Sequence, residues 1–213
     1  MRVVCCYCNI RPETQHALDL YAPECEYVDT SATIWDYGKA IASRWTGEDD
    51  LVIIEDDKEI TAEVLPSFQS CGYLWCSYRY LIYPEGHQRL IEIGLGCTRY
   101  SAKLQQMIDT SEFMCRDQEF FDICPHCNGE GCWNLLDARI AHAARCHGIN
   151  VHCHGMVKHH HDYSGLICKS SSDILRSQHA INRQYKVNFD LADELAGPYW
   201  EKELWALDFG IMV

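Results

Sequence analysis

The sequence predicts a mixed α/β fold with a mainly parallel sheet flanked by helices. Three short runs suited to strands, Val3–Cys8, Glu26–Val28 and Leu51–Ile54, alternate with two segments of helical spacing. Strands that alternate with helices at this interval are typical of βαβ units, whose strands run parallel. The 213 residues, 47% of them hydrophobic and 23% charged, fit one globular domain, two at most, and exclude a disordered chain or fibre.

The first elements follow from apolar spacing and turn residues. We predict a helix from Thr14 to Tyr21, with Thr14 as its cap, between the first two strands. A second helix is predicted over Ala32–Trp45, where apolar side chains recur on one side. The third strand, Leu51–Ile54, is wholly apolar and ends abruptly at three acids.

Beyond those acids the pattern is less regular. Gly148 predicts the end of the clearest amphipathic helix, because glycine readily adopts the left-handed conformation that follows a helix. The predicted elements are, in chain order, a helix over Thr61–Ser70, strands over Leu74–Tyr83 and Leu90–Leu95, helices over Arg99–Ile108 and Trp133–Cys146, a strand over Ile149–His152, and a helix from Ser170 to about Tyr185.

Charge and cysteine content limit the classes of function. The formal net charge of −13 disfavours broad attraction to phosphate backbones, so a nucleic-acid scaffold is a poor expectation. No apolar stretch approaches the roughly 20 residues that span a bilayer, and the first residues do not resemble a signal peptide. We therefore expect a cytoplasmic protein, in which most of the 14 cysteines are reduced and buried.

The acidic strand end, LVIIEDD, is the most informative motif. A buried strand delivers three carboxylates to the carboxyl edge of the sheet, where open α/β folds bind ligands. Carboxylates this close repel one another, and a cation would relieve the repulsion. Oxygen ligands suit Mg²⁺ or Mn²⁺ bound to a diphosphate. The alternative is a solvated acidic turn.

The order of motifs resembles that of GT-A type nucleotide-sugar-dependent glycosyltransferases, in particular a little-characterised bacterial and phage branch. RVVCCYCNIRPET is similar to the first strand and loop of that Rossmann-like fold, LVIIEDD to its DxD motif, and GLGCTRYSAKL to a later strand–turn–helix element. The resemblance implies a catalytic domain over residues 1–165, with a small Cys-rich insert near 115–132. Residues 166–213 would be a helical extension packed on that domain.

The resemblance also implies roles for individual residues. Asp57 would bind the metal, with Glu55 or Asp56 nearer the ribose or sugar. Asn9, Arg11 and Asp29 fall where the nucleotide lies in such enzymes. Asn and Asp also favour turns without any ligand, so both interpretations of these loop residues stay open. The motif here is Glu-Asp-Asp and not Asp-x-Asp.

A histidine-rich segment, HGINVHCHGMVKHHH, supplies further metal ligands. His152 and His154 alternate on a strand and should share a face. His159 and His161 have the same spacing. The resemblance implies that a histidine from such a loop completes the metal shell, and these four are the candidates. A separate zinc site with Cys153, or plain surface positions, are the alternatives.

The segment CPHCNGEGC contains a C-x-x-C pair like that of the zinc module of DnaJ-type chaperones. Cys124, Cys127 and Cys132, with His126 or Cys115, could assemble a structural zinc site, because tetrahedral zinc needs four ligands. A single C-x-x-C is otherwise a weak signal.

Two further residues have predicted roles in catalysis. Asp137, in the first turns of the Trp133–Cys146 helix, matches the position of the general base in several inverting GT-A enzymes; it could instead complement the helix dipole. Arg99 follows a glycine-rich strand and could neutralise diphosphate charge.

We therefore expect a metal-dependent glycosyltransferase that moves a sugar from a nucleotide-diphosphate donor to a hydroxyl acceptor. A nucleotidyltransferase or diphosphate hydrolase could use the same acidic edge. A non-catalytic zinc-binding interaction module is the third alternative. The acceptor is unknown, and the net charge disfavours a modified DNA base.

Overall fold

A sheet of eight strands forms the framework of the fold. The computed structural model describes residues 1–32, 36–82, 88–91, 94–114, 136–160 and 201–204. The strands are β1 Arg2–Tyr7, β2 Glu26–Asp29, β3 Leu51–Glu55, β4 Lys58–Glu59, β5 Trp75–Ile82, β6 Gln88–Ile91, β7 Cys97–Tyr100, β8 His152–Met156, β9 Lys158–His159 and β10 Glu201–Leu204. The helices are α1 Pro12–Tyr21, α2 Asp36–Ala42, α3 Val64–Ser70, α4 Ala102–Met107 and α5 Leu136–Cys146.

The sheet has a parallel part and an antiparallel part. Its order is β10-β6-β5-β7-β3-β1-β2, and β8 pairs alongside β5. Strands β2, β1 and β3 run parallel, as does the β5–β8 pair, whereas β7 is antiparallel to both β3 and β5. The predicted mixed α/β class is confirmed, and the parallel expectation holds for the three strands at the start of the chain.

The core lies around β3. Leu51 to Ile54 are all buried, because β1 and β7 pair with both edges of β3 and apolar residues cover it on both faces. A continuous apolar run is the sequence pattern expected of a strand in this position. Trp45 packs against this core: its ring centroid lies 5.0 Å from that of Tyr100, and its Nε1 donates to the Ile108 carbonyl at 2.9 Å.

The first two helices differ in extent from the prediction. Helix α1 begins at Pro12 with Arg11 as its N-cap, so Thr14 is a buried residue of the first turn and not the cap. Proline suits the first helical position because that residue has no intrahelical partner for its N–H. Helix α2 covers Asp36–Ala42 of the predicted Ala32–Trp45; residues 33–35 lie outside the described part.

The prediction of a helix from Arg99 was wrong. Cys97–Tyr100 is a strand, buried at every position and paired with β3 and β5. The helix starts only after Ser101, whose hydroxyl accepts from the Leu104 N–H at 3.1 Å. Strand β8 likewise begins at His152, where the predicted strand ended, because its pairing with β5 starts there.

The described part of the C-terminal region is a strand. Glu201–Leu204 pairs antiparallel with β6, so the expectation of a helical extension over 166–213 was wrong for these four residues. The rest of that extension and the predicted insert near 115–132 lie outside the described residues. Among the described helices, none is both long and apolar enough to cross a membrane.

Candidate functional site

The carboxyl ends of the three parallel strands meet at one edge of the sheet. Cys6 of β1 pairs with Glu55 of β3, and Tyr7 of β1 pairs with Asp29 of β2. The loops that follow these strands are therefore neighbours. The structure brings most of the predicted nucleotide-binding positions to this edge, which we call the acidic edge and define by Glu55, Asp56 and Asp57.

Asp56 fixes the loop between β1 and α1. Its Oδ2 accepts the main-chain N–H groups of Cys8 at 2.8 Å and Asn9 at 3.1 Å. Its own carbonyl accepts the Arg11 N–H at 2.9 Å. Burial raises the pKa of Asp56 to about 6, the charge of Asp57 adds to the shift, and the amide hydrogen bonds oppose it. Asn9 and Arg11 thus reach the acidic edge through their main chain.

Asp57 lies between the side chains of Lys58 and His159. Its Oδ1 forms an ion pair with Lys58 Nζ, and its Oδ2 lies 2.9 Å from His159 Nε2. Burial by itself would raise the pKa of Asp57, but Lys58 and His159 outweigh burial and hold it well below its usual range. Asp57 is therefore ionised at neutral pH, although its side chain is mostly buried.

Lys58 is the cation that balances the acidic edge in this structure. Its side chain is 1% exposed, and Nζ lies 3.2 Å from Glu55 Oε2 as well as beside Asp57. Burial would lower the pKa of Lys58, yet the two carboxylates raise it. Sequence analysis assigned charge compensation to a metal and overlooked this lysine, which directly follows the motif.

Two tyrosines and a glycine complete the surroundings of Lys58. The Tyr37 hydroxyl donates to Glu55 Oε1 at 2.9 Å, and Lys58 Nζ lies 4.3 Å from the centre of the Tyr80 ring. A Cβ at Gly96 would lie 2.6 Å from Tyr80 Cε1 and closer still to Lys58 Cε, so only glycine leaves room here. Neither tyrosine has a local sequence signal, because both come from elements distant in sequence.

The pairing of β4 with β9 positions His159. Strands β4 and β9 pair antiparallel, with Lys58 opposite His159, and the His160 N–H donates to the Asp57 carbonyl at 2.8 Å. Glu59 accepts from Lys158 at 3.1 Å and lies 2.7 Å from His160 Nε2. This pairing holds a histidine beside an acid 102 positions away in the sequence.

The other candidate histidines do not join Asp57. His152 and His154 share a face of β8, as predicted, with ring centroids 4.8 Å apart. They lie where β8 pairs with the start of β5, at the opposite end from His159, so the expectation that they bind the same metal as Asp57 was wrong. His161 lies outside the described residues.

Arg99 also lies away from the acidic edge. Its Nη1 donates to Asp50 Oδ2 at 2.9 Å and to the Phe68 carbonyl at 3.1 Å, and Nη2 donates to the Tyr73 carbonyl. Asp50 precedes β3, whereas the acids follow it, so Arg99 is buried at the other end of the sheet. The prediction that Arg99 neutralises a diphosphate was therefore wrong.

Asp29 ends β2, and Asp137 lies in the first turn of α5. Asp29 ends β2 beside Tyr7, and its Oδ1 accepts the Ser31 N–H at 2.8 Å, which is the turn chemistry considered as its alternative. Asp137 is half-buried in the first turn of α5, and its charge contributes to raising the pKa values of Tyr37 and Tyr80. Burial is the main cause of both shifts. Asp137 thus acts on the same two tyrosines that contact Glu55 and Lys58.

The Cys-rich candidates cannot be placed. Cys124, Cys127 and Cys132 lie outside the described residues. The alternative zinc ligand Cys153 is on β8 between His152 and His154, and its Sγ lies 3.5 Å from Ser77 Oγ. Successive side chains of a strand point to opposite faces, so Cys153 does not share a site with its two histidine neighbours.

No protein-family model and no curated protein matches the chain. Among solved structures, the chain is similar to A197 from STIV, at 15% sequence identity and a TM-score of 0.43. The match covers 76% of this chain and 87% of A197. A similarity this weak carries no argument about activity.

Proposed function

We propose that this chain is a metal-dependent glycosyltransferase that moves a sugar from a nucleotide-diphosphate donor to a hydroxyl acceptor. The observation that carries the proposal is the contact between Asp57 and His159 at the carboxyl edge of parallel strands. An acid that directly follows a buried strand meets a histidine returned from the far part of the chain. Open α/β sheets bind ligands at this edge.

Asp57 and His159 would be the ligands of a divalent cation. The two oxygens of the Asp57 carboxylate have different partners. Oδ1 contacts Lys58, which keeps the carboxylate ionised, and Oδ2 contacts His159. One carboxylate oxygen with one imidazole nitrogen suits Mn²⁺, and Mg²⁺ or Mn²⁺ commonly completes its shell with waters and substrate phosphates. Such a cation would neutralise the charge that builds on the leaving diphosphate.

We propose that the donor binds beside the loop after β1. Asp56 holds Cys8 and Asn9 by their N–H groups, so this loop has a fixed conformation beside the acids. Helix α1 starts directly afterwards at Pro12, and helix N-termini attract anions. We assign the nucleotide to the surface formed by Asn9, Arg11 and Asp29, as the resemblance implies.

The acceptor would meet Asp137. An inverting transfer needs a base that takes the proton from the attacking hydroxyl. Asp137 is a half-buried carboxylate in the first turn of α5 whose charge reaches Tyr37 and Tyr80. We propose it as that base, while a retaining reaction would not require one.

The test is a panel of nucleotide sugars, measured with and without Mn²⁺. A specific donor stabilises the fold by mass action, so its binding raises the melting temperature. The matching donor should then release a nucleoside diphosphate in an Mn²⁺-dependent reaction that Asp57→Asn and His159→Gln abolish. Glu59→Gln is the matched control, because Glu59 is a half-buried acid of the same strand pair whose carboxylate contacts Lys158 and His160.

Three outcomes would overturn the proposal. One is that no nucleotide sugar raises the melting temperature in the presence of Mn²⁺. A second is that Asp57→Asn retains full activity. The third is release of pyrophosphate in place of nucleoside diphosphate, which would identify a nucleotidyltransferase.

A further inference from the structure

A second group of side chains that can bind a metal lies at the start of β8, away from the acidic edge. Ligand atoms of Cys71, His152 and His154 all lie within 4.8 Å of one another. His152 pairs with Cys76 at the start of β5, whereas His159 pairs with Lys58 beyond the end of β3. Five residues of extended chain from His154 to His159 span about 16 Å, so the two groups are separate.

A second thiol lies beside that of Cys71. Cys76 Sγ lies 2.7 Å from Cys71 Sγ, and both cysteines are free. Cys71 directly follows α3, and Cys76 is the second residue of β5, so a short loop brings the two thiols together. The three ligand atoms that all lie within 4.8 Å of one another belong to Cys71, His152 and His154, and the Cys76 thiol contacts this group through Cys71.

His154 provides an independent sign that a ligand is missing. Its Nε2 is buried and has no hydrogen-bond partner in the part of the chain that the structure describes. A buried polar atom without a partner is rare in folded proteins and calls for an explanation, such as an ion.

Aromatic side chains hold both imidazoles in place. The His152 ring stacks on Tyr73, with centroids 4.2 Å apart and planes at 4°. The His154 ring packs between Tyr78, at 5.6 Å, and Phe68, at 5.8 Å. Such ring contacts fix the orientations of the two imidazoles, as the surroundings of metal sites commonly do.

We propose that one Zn²⁺ ion is bound by the clustered side chains of Cys71, His152 and His154, with the Cys76 thiol, which contacts Cys71, as the fourth ligand. Thiolate and imidazole ligands select zinc over Mg²⁺ or Mn²⁺. Four protein ligands leave no open position, so the site is structural and joins the loop after α3 to β8. This inference does not depend on the proposed glycosyltransferase activity.

Zinc content of the purified full chain tests the proposal. Because other cysteines of the chain could hold a second ion, the measurement is the difference between variants. Cys71→Ser and His154→Gln should each reduce bound zinc by one equivalent per chain. Cys153→Ser is the matched control on the same strand but the opposite face, and it should retain all zinc.

Two measurements on the unmodified chain remain informative if a variant fails to fold. Co²⁺ in place of zinc should give the thiolate-to-cobalt absorption of a tetrahedral site. Removal of zinc by a chelator should speed alkylation of Cys71 and Cys76 at least tenfold. The rate at Cys25, which directly precedes β2, should stay the same. Equal zinc content in Cys71→Ser and the unmodified chain, equal alkylation with and without chelator, or a Cys71–Cys76 disulfide in the zinc-treated protein would each overturn the proposal.

Discussion

Replacement of Lys58 by methionine tests how the acidic edge is stabilised. The methionine keeps an apolar stem against Tyr80 but removes the charge next to Glu55 and Asp57. At an effective dielectric constant of about 20, unit charges at the 3.2 Å separation of Nζ and Glu55 Oε2 attract by about 5 kcal/mol. Regained hydration offsets part of this attraction. We expect Lys58→Met to lower the free energy of unfolding by about 3 to 5 kcal/mol at pH 7.

The assay is urea unfolding followed by circular dichroism, at pH 7 and at lower pH. Lys158→Met is the matched control, because Lys158 pairs with Glu59 in the same two strands but is 67% exposed. Its loss should cost less than about 1 kcal/mol. If Lys58→Met does not fold, the double variant Lys58→Met with Asp57→Asn should recover stability, since it removes one of the two uncompensated charges.

The pH dependence has a definite sign. Lys58 and His159 hold the pKa of Asp57 below its usual range, so their stabilisation is complete above the unfolded pKa of about 4 and is lost as the pH falls further. The free energy of unfolding that Lys58→Met loses should therefore be largest near neutral pH and become smaller in acid. A deficit below about 1 kcal/mol at pH 7, equal to that of Lys158→Met, would refute the reasoning that Lys58 compensates buried charge.

Three further changes have expected outcomes. Burial raises the pKa of Asp56 to about 6, so the unmodified chain loses stability as the pH rises from about 4 to about 7. Asp56→Asn does not titrate, so its free energy of unfolding relative to the unmodified chain should increase by at most about 3 kcal/mol over this range. Urea unfolding of both proteins at pH 4 and pH 7 checks this. Gly96→Ala should cost about 1 to 3 kcal/mol in urea unfolding because its Cβ meets Tyr80 at 2.6 Å, whereas Gly72→Ala, with open space around it, should be nearly neutral. Ser101→Ala removes the cap of α4 and should lower the free energy of unfolding by about 1 kcal/mol, and an unchanged value would contradict the capping role.

Sequence reasoning succeeded where local pattern and final environment agree. The run Leu51–Ile54 is apolar at every position, and β3 is indeed buried between two strands. It failed at Cys97–Tyr100, where a short segment before a helix is a strand. Pairing with β3 and β5 determines the conformation of that segment. These two strands are distant in the chain, so the four residues alone do not predict the pairing.

The candidate site divides in the same way. Three acids after a buried strand must lie at the end of that strand, so the sequence places Glu55, Asp56 and Asp57 together at one edge. The contact between Asp57 and His159 crosses 102 positions and depends on the pairing of β4 with β9. The histidine spacing correctly put His152 and His154 on one face but could not say which end of the sheet that face belongs to.

The sequence by itself therefore determined the class of the fold, the buried third strand and the acidic edge, because each follows from neighbours in the chain. Only the tertiary structure decided that Lys58 neutralises the acids, that Arg99 lies at the opposite end, and that the histidines separate into two groups. The physical reason is that electrostatic interactions depend on the distance between two groups in space and not on their separation in the sequence. Partners are set by strand pairing and burial, which depend on the whole chain.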